Sequence, residues 1–182
     1  NLENISFVLR IASNYRIRLN VVLQVLNKFK GLPHRQERLL LNDEIICIND
    51  SKATNFESSS QSLKSYQNIF WIVGGLPKKG DKFFLNKLKK NIIKAYIIGK
   101  STIFFKKQLR KKVNSVVVNN LKNAVLKVIK DLKQIKNLNS LTKNKYTILF
   151  SPAAASFDQF ANFEDRGKKF KELVYRARPS IY

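Results

Sequence analysis

The stretch Glu44-Ile45-Ile46-Cys47-Ile48 runs straight into Asn49-Asp50-Ser51-Lys52-Ala53-Thr54-Asn55. A strand-length apolar run is thus followed by seven residues dense in donors, acceptors and one ammonium. Asn42-Asp43 just before it is a turn signal, so Arg38–Leu41 and Glu44–Ile48 predict a hairpin. Four further runs rich in Ile, Val or aromatics follow: Ile69–Val73, Ala95–Ile98, Ser115–Val118 and Tyr146–Phe150. Each leads through a polar or glycine-bearing loop into an amphipathic segment. Strand, loop and helix in repetition predict an α/β fold, a mainly parallel sheet with helices on both faces. Ligands of such sheets gather outside the carboxyl ends of the strands, so function is to be sought in the segments just after each strand.

Upstream the pattern differs. Leu2, Ile5, Leu9 and Ile11, then Leu19, Val22, Leu23, Val25 and Leu26, recur at helical spacing. They predict two short helices joined near Ser13 to Arg16. Two helices cannot form a core alone, so they read as the tail of a domain whose earlier part is missing. Gly31-Leu32-Pro33 punctuates the chain and sets the boundary: residues 1–31 belong to that tail and 32–182 to the sheet domain. A chain of 182 residues, 44% hydrophobic, is enough for one good core and a fragment of a second.

Composition excludes several classes. No apolar run reaches the roughly 20 residues of a membrane span, and the opening lacks the features of a signal peptide, so a cytoplasmic location is expected. One cysteine, Cys47, and one histidine, His34, exclude an internal disulfide framework and a Cys/His zinc site. Lys+Arg 35 against Asp+Glu 12 gives +23, a balance that suits nucleic acid, an anionic membrane surface or small anionic ligands. The lysines are spread through every segment and follow the solvent faces of the expected helices. No RNA-binding aromatic signature accompanies them. A lysine-biased surface is therefore the expectation, with no nucleic acid as partner; a basic nucleic-acid-associating module is the rival reading.

The loops after the strands carry the chemistry. Thr54 with Glu57 fits a capping box, so a helix is expected to begin there and to aim its N–H groups into the crevice. Asp50 can bind a ribose diol, and Lys52 and Thr54 can face an anion; the plain alternative is a well-capped helix. Gly74-Gly75-Leu76-Pro77-Lys78-Lys79-Gly80 joins close-approach glycines to two lysines, or is simply a solvated turn. Ser151-Pro152-Ala153-Ala154-Ala155-Ser156-Phe157-Asp158-Gln159 has small side chains that let a ligand near the backbone, and Ser156 with Gln159 predicts a second capped helix. Gly99-Lys100-Ser101-Thr102 imitates the end of a phosphate loop, but Lys94 stands where that motif needs glycine. His34 and Arg35 lie at the hinge, with Arg35 placed to reach a nucleotide phosphate. Cys47 and Trp71 read as core.

Taken together, Gly31-Leu32-Pro33-His34-Arg35, the Asn49–Asn55 run, the Gly74–Lys78 loop and the run SPAAASFDQFANFEDRG over 151–167 resemble the C-terminal part of the Mur ligases. Among these they are most similar to the members that add D-glutamate to a UDP-linked muramoyl-alanine, a sister ligase adding another amino acid being the alternative. The resemblance covers essentially the whole chain. It implies a Rossmann-like C-terminal domain preceded by two helices of a truncated ATP-binding central domain, working as a monomer on ATP, with Mg2+ ligands in a segment this chain lacks. It also implies roles. Thr54 and Lys78 would hold one glutamate carboxylate, and Ser156 with the backbone around Phe157 and Phe163 the other. Asp50 would take the ATP ribose and Arg35 a phosphate, with Lys52 nearby, while Asn1 and Asn4 match asparagines of the adenine site. The family's UDP-sugar domain, phosphate loop and magnesium ligands have no counterpart here. No complete catalytic set is therefore expected, and the fragment alone should not catalyse.

Overall fold

A computed structural model describes residues 2–40, 44–84, 88–138 and 145–180. The chain divides into two units, one ending at Leu32 and the other starting at Pro33. In the first, the helical spacing of apolar residues forms α1 (Leu2–Asn14) and α2 (Leu19–Lys28). Arg16, at φ 55°, turns the chain between them. Ala12 and Val22 are buried, whereas Phe7, Ile11, Leu19, Val25 and Phe29 stay exposed.

The second unit runs β1 (Glu37–Leu40), β2 (Ile45–Asn49), α3 (Phe56–Ser65), β3 (Ile69–Gly74), β4 (Ile92–Ile98), α4 (Thr102–Leu109), β5 (Ser115–Asn119), α5 (Leu121–Leu138), β6 (Tyr146–Phe150) and α6 (Phe163–Ala177). The strands form one sheet in the order β1-β2-β6-β3-β4-β5. β1 is antiparallel to β2, and the remaining neighbours are parallel. This is the expected α/β architecture. The Asn42-Asp43 turn lies outside the described residues.

Helices cover both faces, which is why β3 and β6 are buried at every residue, without alternation. On one face α5 and α6 bring Leu121, Val125, Val128, Phe170 and Val174 onto Phe70, Ile72, Tyr96 and Phe150. On the other, α3 and α4 bring Phe56, Leu63, Phe105 and Leu109 onto Trp71, Val73, Ile97 and Leu149. Each such side chain contributes about 1.5–3 kcal/mol relative to exposure. Cys47 and Trp71 are core residues, as expected. Burial pushes the Cys47 thiol far above its ordinary range. The Trp71 Nε1–H donates to the Ser151 carbonyl at 2.8 Å, pinning the end of β6.

Topology then places a crevice. The connections leaving β2, β3 and β4 cover the α3/α4 face, while those leaving β5 and β6 cover the α5/α6 face. β6 lies between β2 and β3, so the chain leaves it for the opposite face from both neighbours. Such a switch opens the sheet's carboxyl edge between diverging loops.

Two expected caps are corrected. α3 is capped by Asn55, whose Oδ1 accepts the Ser58 N–H at 2.8 Å, one residue after Thr54. No α-helix begins at Ser156. The Gln159 and Phe160 N–H groups fold back on the Ser156 carbonyl at 3.0 and 2.9 Å in an isolated turn. α6 starts later, capped by Asn162, whose Oδ1 accepts the Asp165 N–H at 2.7 Å. In both places an Asn in extended conformation took the role, because the cap needs that backbone as well as a side-chain acceptor.

Candidate functional site

Three loops meet at this edge, those after β2, β3 and β6, and hydrogen bonds tie each to another. Leu76 and Ala155 exchange both backbone bonds at 2.9 Å. The close approach requires glycine: Gly75 has φ 134°, and a Cβ there would stand 2.4 Å from the Ala155 carbonyl oxygen. The Phe56 N–H, at the start of α3, donates to Asp81 Oδ2 at 2.9 Å, and the Asp81 N–H donates to the Lys78 carbonyl at 3.1 Å. The loop bearing Thr54 is thereby held to the loop bearing Lys78. Finally, Ser51 Oγ donates to the Phe163 carbonyl at 2.8 Å, joining the loop after β2 to α6.

These ties bring Thr54, Lys78 and Ser156 onto one edge. Thr54 and Lys78 are exposed, whereas Ser156 is buried. Phe157 is 71% exposed and Phe163 half-buried. Arg35 and Lys52 are exposed cations, and Lys52 Nζ lies 5.5 Å from the Phe163 ring centroid. Asn4 is exposed on α1, in the first unit, and Asn1 lies outside the described residues.

Asp50 is buried and bonded within the protein. Its Oδ2 accepts from Ser62 Oγ at 2.6 Å and Ser151 Oγ at 2.8 Å, and its Oδ1 accepts the Gln36 N–H at 3.2 Å. It clamps β2, α3 and the end of β6 together. Burial raises its pKa above the ordinary carboxylate value, against those hydrogen bonds and Arg35. His34 stands beside it in a second buried cluster. Asn49 Nδ2 shares its two hydrogens among His34 Nδ1 at 2.9 Å, the Gly167 carbonyl at 3.1 Å and Glu37 Oε2 at 3.3 Å. With Asn49 donating, Nδ1 accepts and the ring is neutral. Burial holds the His34 pKa below its ordinary value, with Glu37 pulling the other way. Glu37 also pairs with Lys171.

The segment Gly99 to Thr102 does join a strand to a helix, but the Lys100 N–H donates to the Asp158 carboxylate at 2.8 Å. An acidic group stands where a phosphate loop would need an anion to bind. Among the described residues no cluster of His, Cys, Asp and Glu could hold a metal ion. No described helix is long and apolar enough to cross a membrane.

Arg166 escaped the reading of the sequence. It is 1% exposed in the first turn of α6, and its Nε and Nη2 donate to Ser51 Oγ at 3.1 Å and the Ser51 carbonyl at 2.8 Å. Burial lowers its pKa to about 10, so it stays cationic at neutral pH; Asp158 opposes the shift. A signal was available. Arg166, Phe170 and Val174 fall four residues apart on the buried stripe of α6, where a charge is out of place. Ser51, Ser62 and Ser151 left no comparable mark, because a serine looks the same in a solvated loop and in a buried clamp.

A doubly wound sheet whose carboxyl edge gathers three cross-bonded loops and their cations defines a Rossmann-like domain. No family model matches the chain. It is, however, similar over all 181 aligned residues, at 39% identity, to a UDP-N-acetylmuramoylalanine–D-glutamate ligase of Wolbachia sp. subsp. Brugia malayi, of which it covers 35%. A ligase of the same name from Wolbachia pipientis wMel is 39% identical over 98% of the chain and 34% of the relative. One from Rickettsia felis is 36% identical over 97% of the chain and 38% of the relative. Over essentially its whole length the chain matches the C-terminal part of these ligases. It spans about a third of the length of the curated relatives it matches.

Proposed function

We propose that this chain is the amino-acid-binding part of a ligase that adds D-glutamate to UDP-N-acetylmuramoyl-L-alanine, a cytoplasmic step of peptidoglycan precursor synthesis, and that it supplies one wall of the ATP site. The observation that carries the reading is the cross-bonded edge, where Thr54, Lys78 and Ser156 share one set of linked loops with Arg35 and Lys52 close by. A diacid flanked by a nucleotide needs cations and N–H donors on one rim. In such a reaction ATP activates the alanine carboxylate as an acyl phosphate, and the glutamate amine displaces phosphate. Every participant is anionic, so the chain's part is to position and to stabilise charge. Lys78 and Thr54 would grip one glutamate carboxylate; Ser156 and the backbone near Phe157 and Phe163 would receive the other. Arg35 and Lys52 would face the phosphates. Asp50 would turn Oδ1, which already accepts the Gln36 N–H, toward a ribose hydroxyl, its Oδ2 accepting from two serines. No described residue is assigned to magnesium.

The test is a chimaera in which residues 1–182 replace the matching part of the Wolbachia relative, assayed for phosphate release with a panel of amino acids. D-Glutamate should support turnover, and Lys78→Ala should raise its KM about tenfold or more, the loss of one charge-assisted bond. Turnover with another amino acid alone, or an unchanged KM in the variant, refutes the assignment. The chain by itself should bind D-glutamate weakly and catalyse nothing. If it instead held DNA near 200 mM salt through one face, the nucleic-acid reading would replace this one.

A further inference from the structure

The buried Arg166 guanidinium bonds directly to one of the three loops and stands close to the other two. Nε and Nη2 grip Ser51 after β2. Ser51 Oγ passes the contact to the Phe163 carbonyl in the segment after β6. Nη1 has no hydrogen-bond partner among the described residues and lies 3.3 Å from where a Cβ on Gly75, after β3, would stand. The ring centroid of the facing aromatic, Phe150, is 5.9 Å from the guanidinium carbon.

Stability alone does not explain this residue. A buried charge with one nitrogen unpaired is costly, and a hydrophobe of similar size is often as stable or more so in such a place. What the guanidinium offers that a hydrophobe cannot is direction: two donors at a fixed angle define where the Ser51 carbonyl and hydroxyl sit. The adjoining Lys52 N–H donates to the His34 carbonyl at 3.0 Å, and its ammonium faces Phe163. The position of Ser51 therefore sets that of Lys52 and, through the hinge, of Arg35.

We propose that Arg166 is a positioning residue that latches the loop after β2 to the loops after β3 and β6, so that the nucleotide-facing cations and the amino-acid-facing groups are placed as one unit. This rests on the function proposed above. Arg166 touches no reactant in this scheme and acts through Ser51.

Hydrogen exchange on the 182-residue chain tests the latch without any ligand. In Arg166→Met and, more mildly, in Ser51→Ala, the Lys52, Ala53, Leu76 and Phe160 amides should exchange about tenfold faster or more, while Arg110, just after α4, and Ala124, in α5, keep their rates. Unchanged loop amides, or acceleration spread evenly over the chain, would overturn the proposal and leave Arg166 an ordinary core residue. In the chimaera, Arg166→Lys should raise KM for ATP and for the amino acid together, whereas Lys78→Ala raises that of the amino acid alone. A rise confined to one substrate overturns the latch. Should the wild-type chimaera prefer an amino acid other than D-glutamate, the proposed function falls, and the paired KM measurement is made with that amino acid.

Discussion

Gly167 shows how one missing methyl holds a cluster together. It lies inside α6, where glycine costs about 1 kcal/mol relative to alanine, yet a Cβ there would come within 2.3 Å of His34 Nδ1. The ring and the helix backbone share Asn49 as their common partner, so neither can retreat without breaking a buried bond. Gly167→Ala should therefore destabilise the sheet unit by about 1–3 kcal/mol despite its better helix propensity, as read by urea unfolding. His34 also supplies a pH test. Its folded pKa lies below its ordinary 6.5, so its contribution is complete above 6.5 and is lost as pH falls from there toward the folded value. As the chain's one histidine it can be isolated. The gap in melting temperature between wild type and His34→Asn should narrow from pH 7.5 to pH 5.5; a constant gap would mean that the ring is not held neutral. Glu37, shifted down by Lys171 and the His34 N–H against its own burial, loses its contribution only below 4.5. Asp50 runs in the opposite sense, its stabilisation being lost as pH rises through its raised folded value.

Among the elements, the two helices that flank the crevice begin at asparagines, and the exposure of those caps makes them separable from the core. Asn55→Ala and Asn162→Ala should each cost about 1 kcal/mol in unfolding free energy. Their sum should appear in the double variant, because the caps serve different helices on opposite faces of the sheet. A strong deviation from additivity would indicate that the loops communicate beyond the ties described. Thr54→Ala should leave stability nearly unchanged, since Thr54 is not the cap and is exposed, which makes it a clean probe of ligand contact.

On the scale of the whole molecule, the charge of +23 looked like the dominant fact, and it did not select the fold. Lysines interact through a salt-screened field, whereas the sheet is organised by apolar runs and by where chain connections cross. The strands were legible because β-branched and aromatic runs bounded by turn residues have few alternative readings. Their parallel pairing followed from the helices between them, and β1 with β2 from the turn signal. The edge that gathers the loops was legible for the same reason, although β4 begins at Ile92, earlier than its most apolar stretch.

The details of the site were less visible. A capping box is a spacing rule that Thr54 and Glu57, or Ser156 and Gln159, satisfy as well as any pair, and the backbone angles that decide between candidates depend on packing. Periodicity and turn chemistry alone determined that this chain is a parallel α/β unit behind a helical pair, with polar loops at its strand ends; the motifs in those loops marked the family. Tertiary structure decided that Asp50 faces inward between serines, that Ser156 is buried while Phe157 is not, and that an arginine sits beneath the loops. Those outcomes depend on which side chains meet across a hundred residues of chain, and burial and hydrogen-bond partnership exist only once the strands have come together.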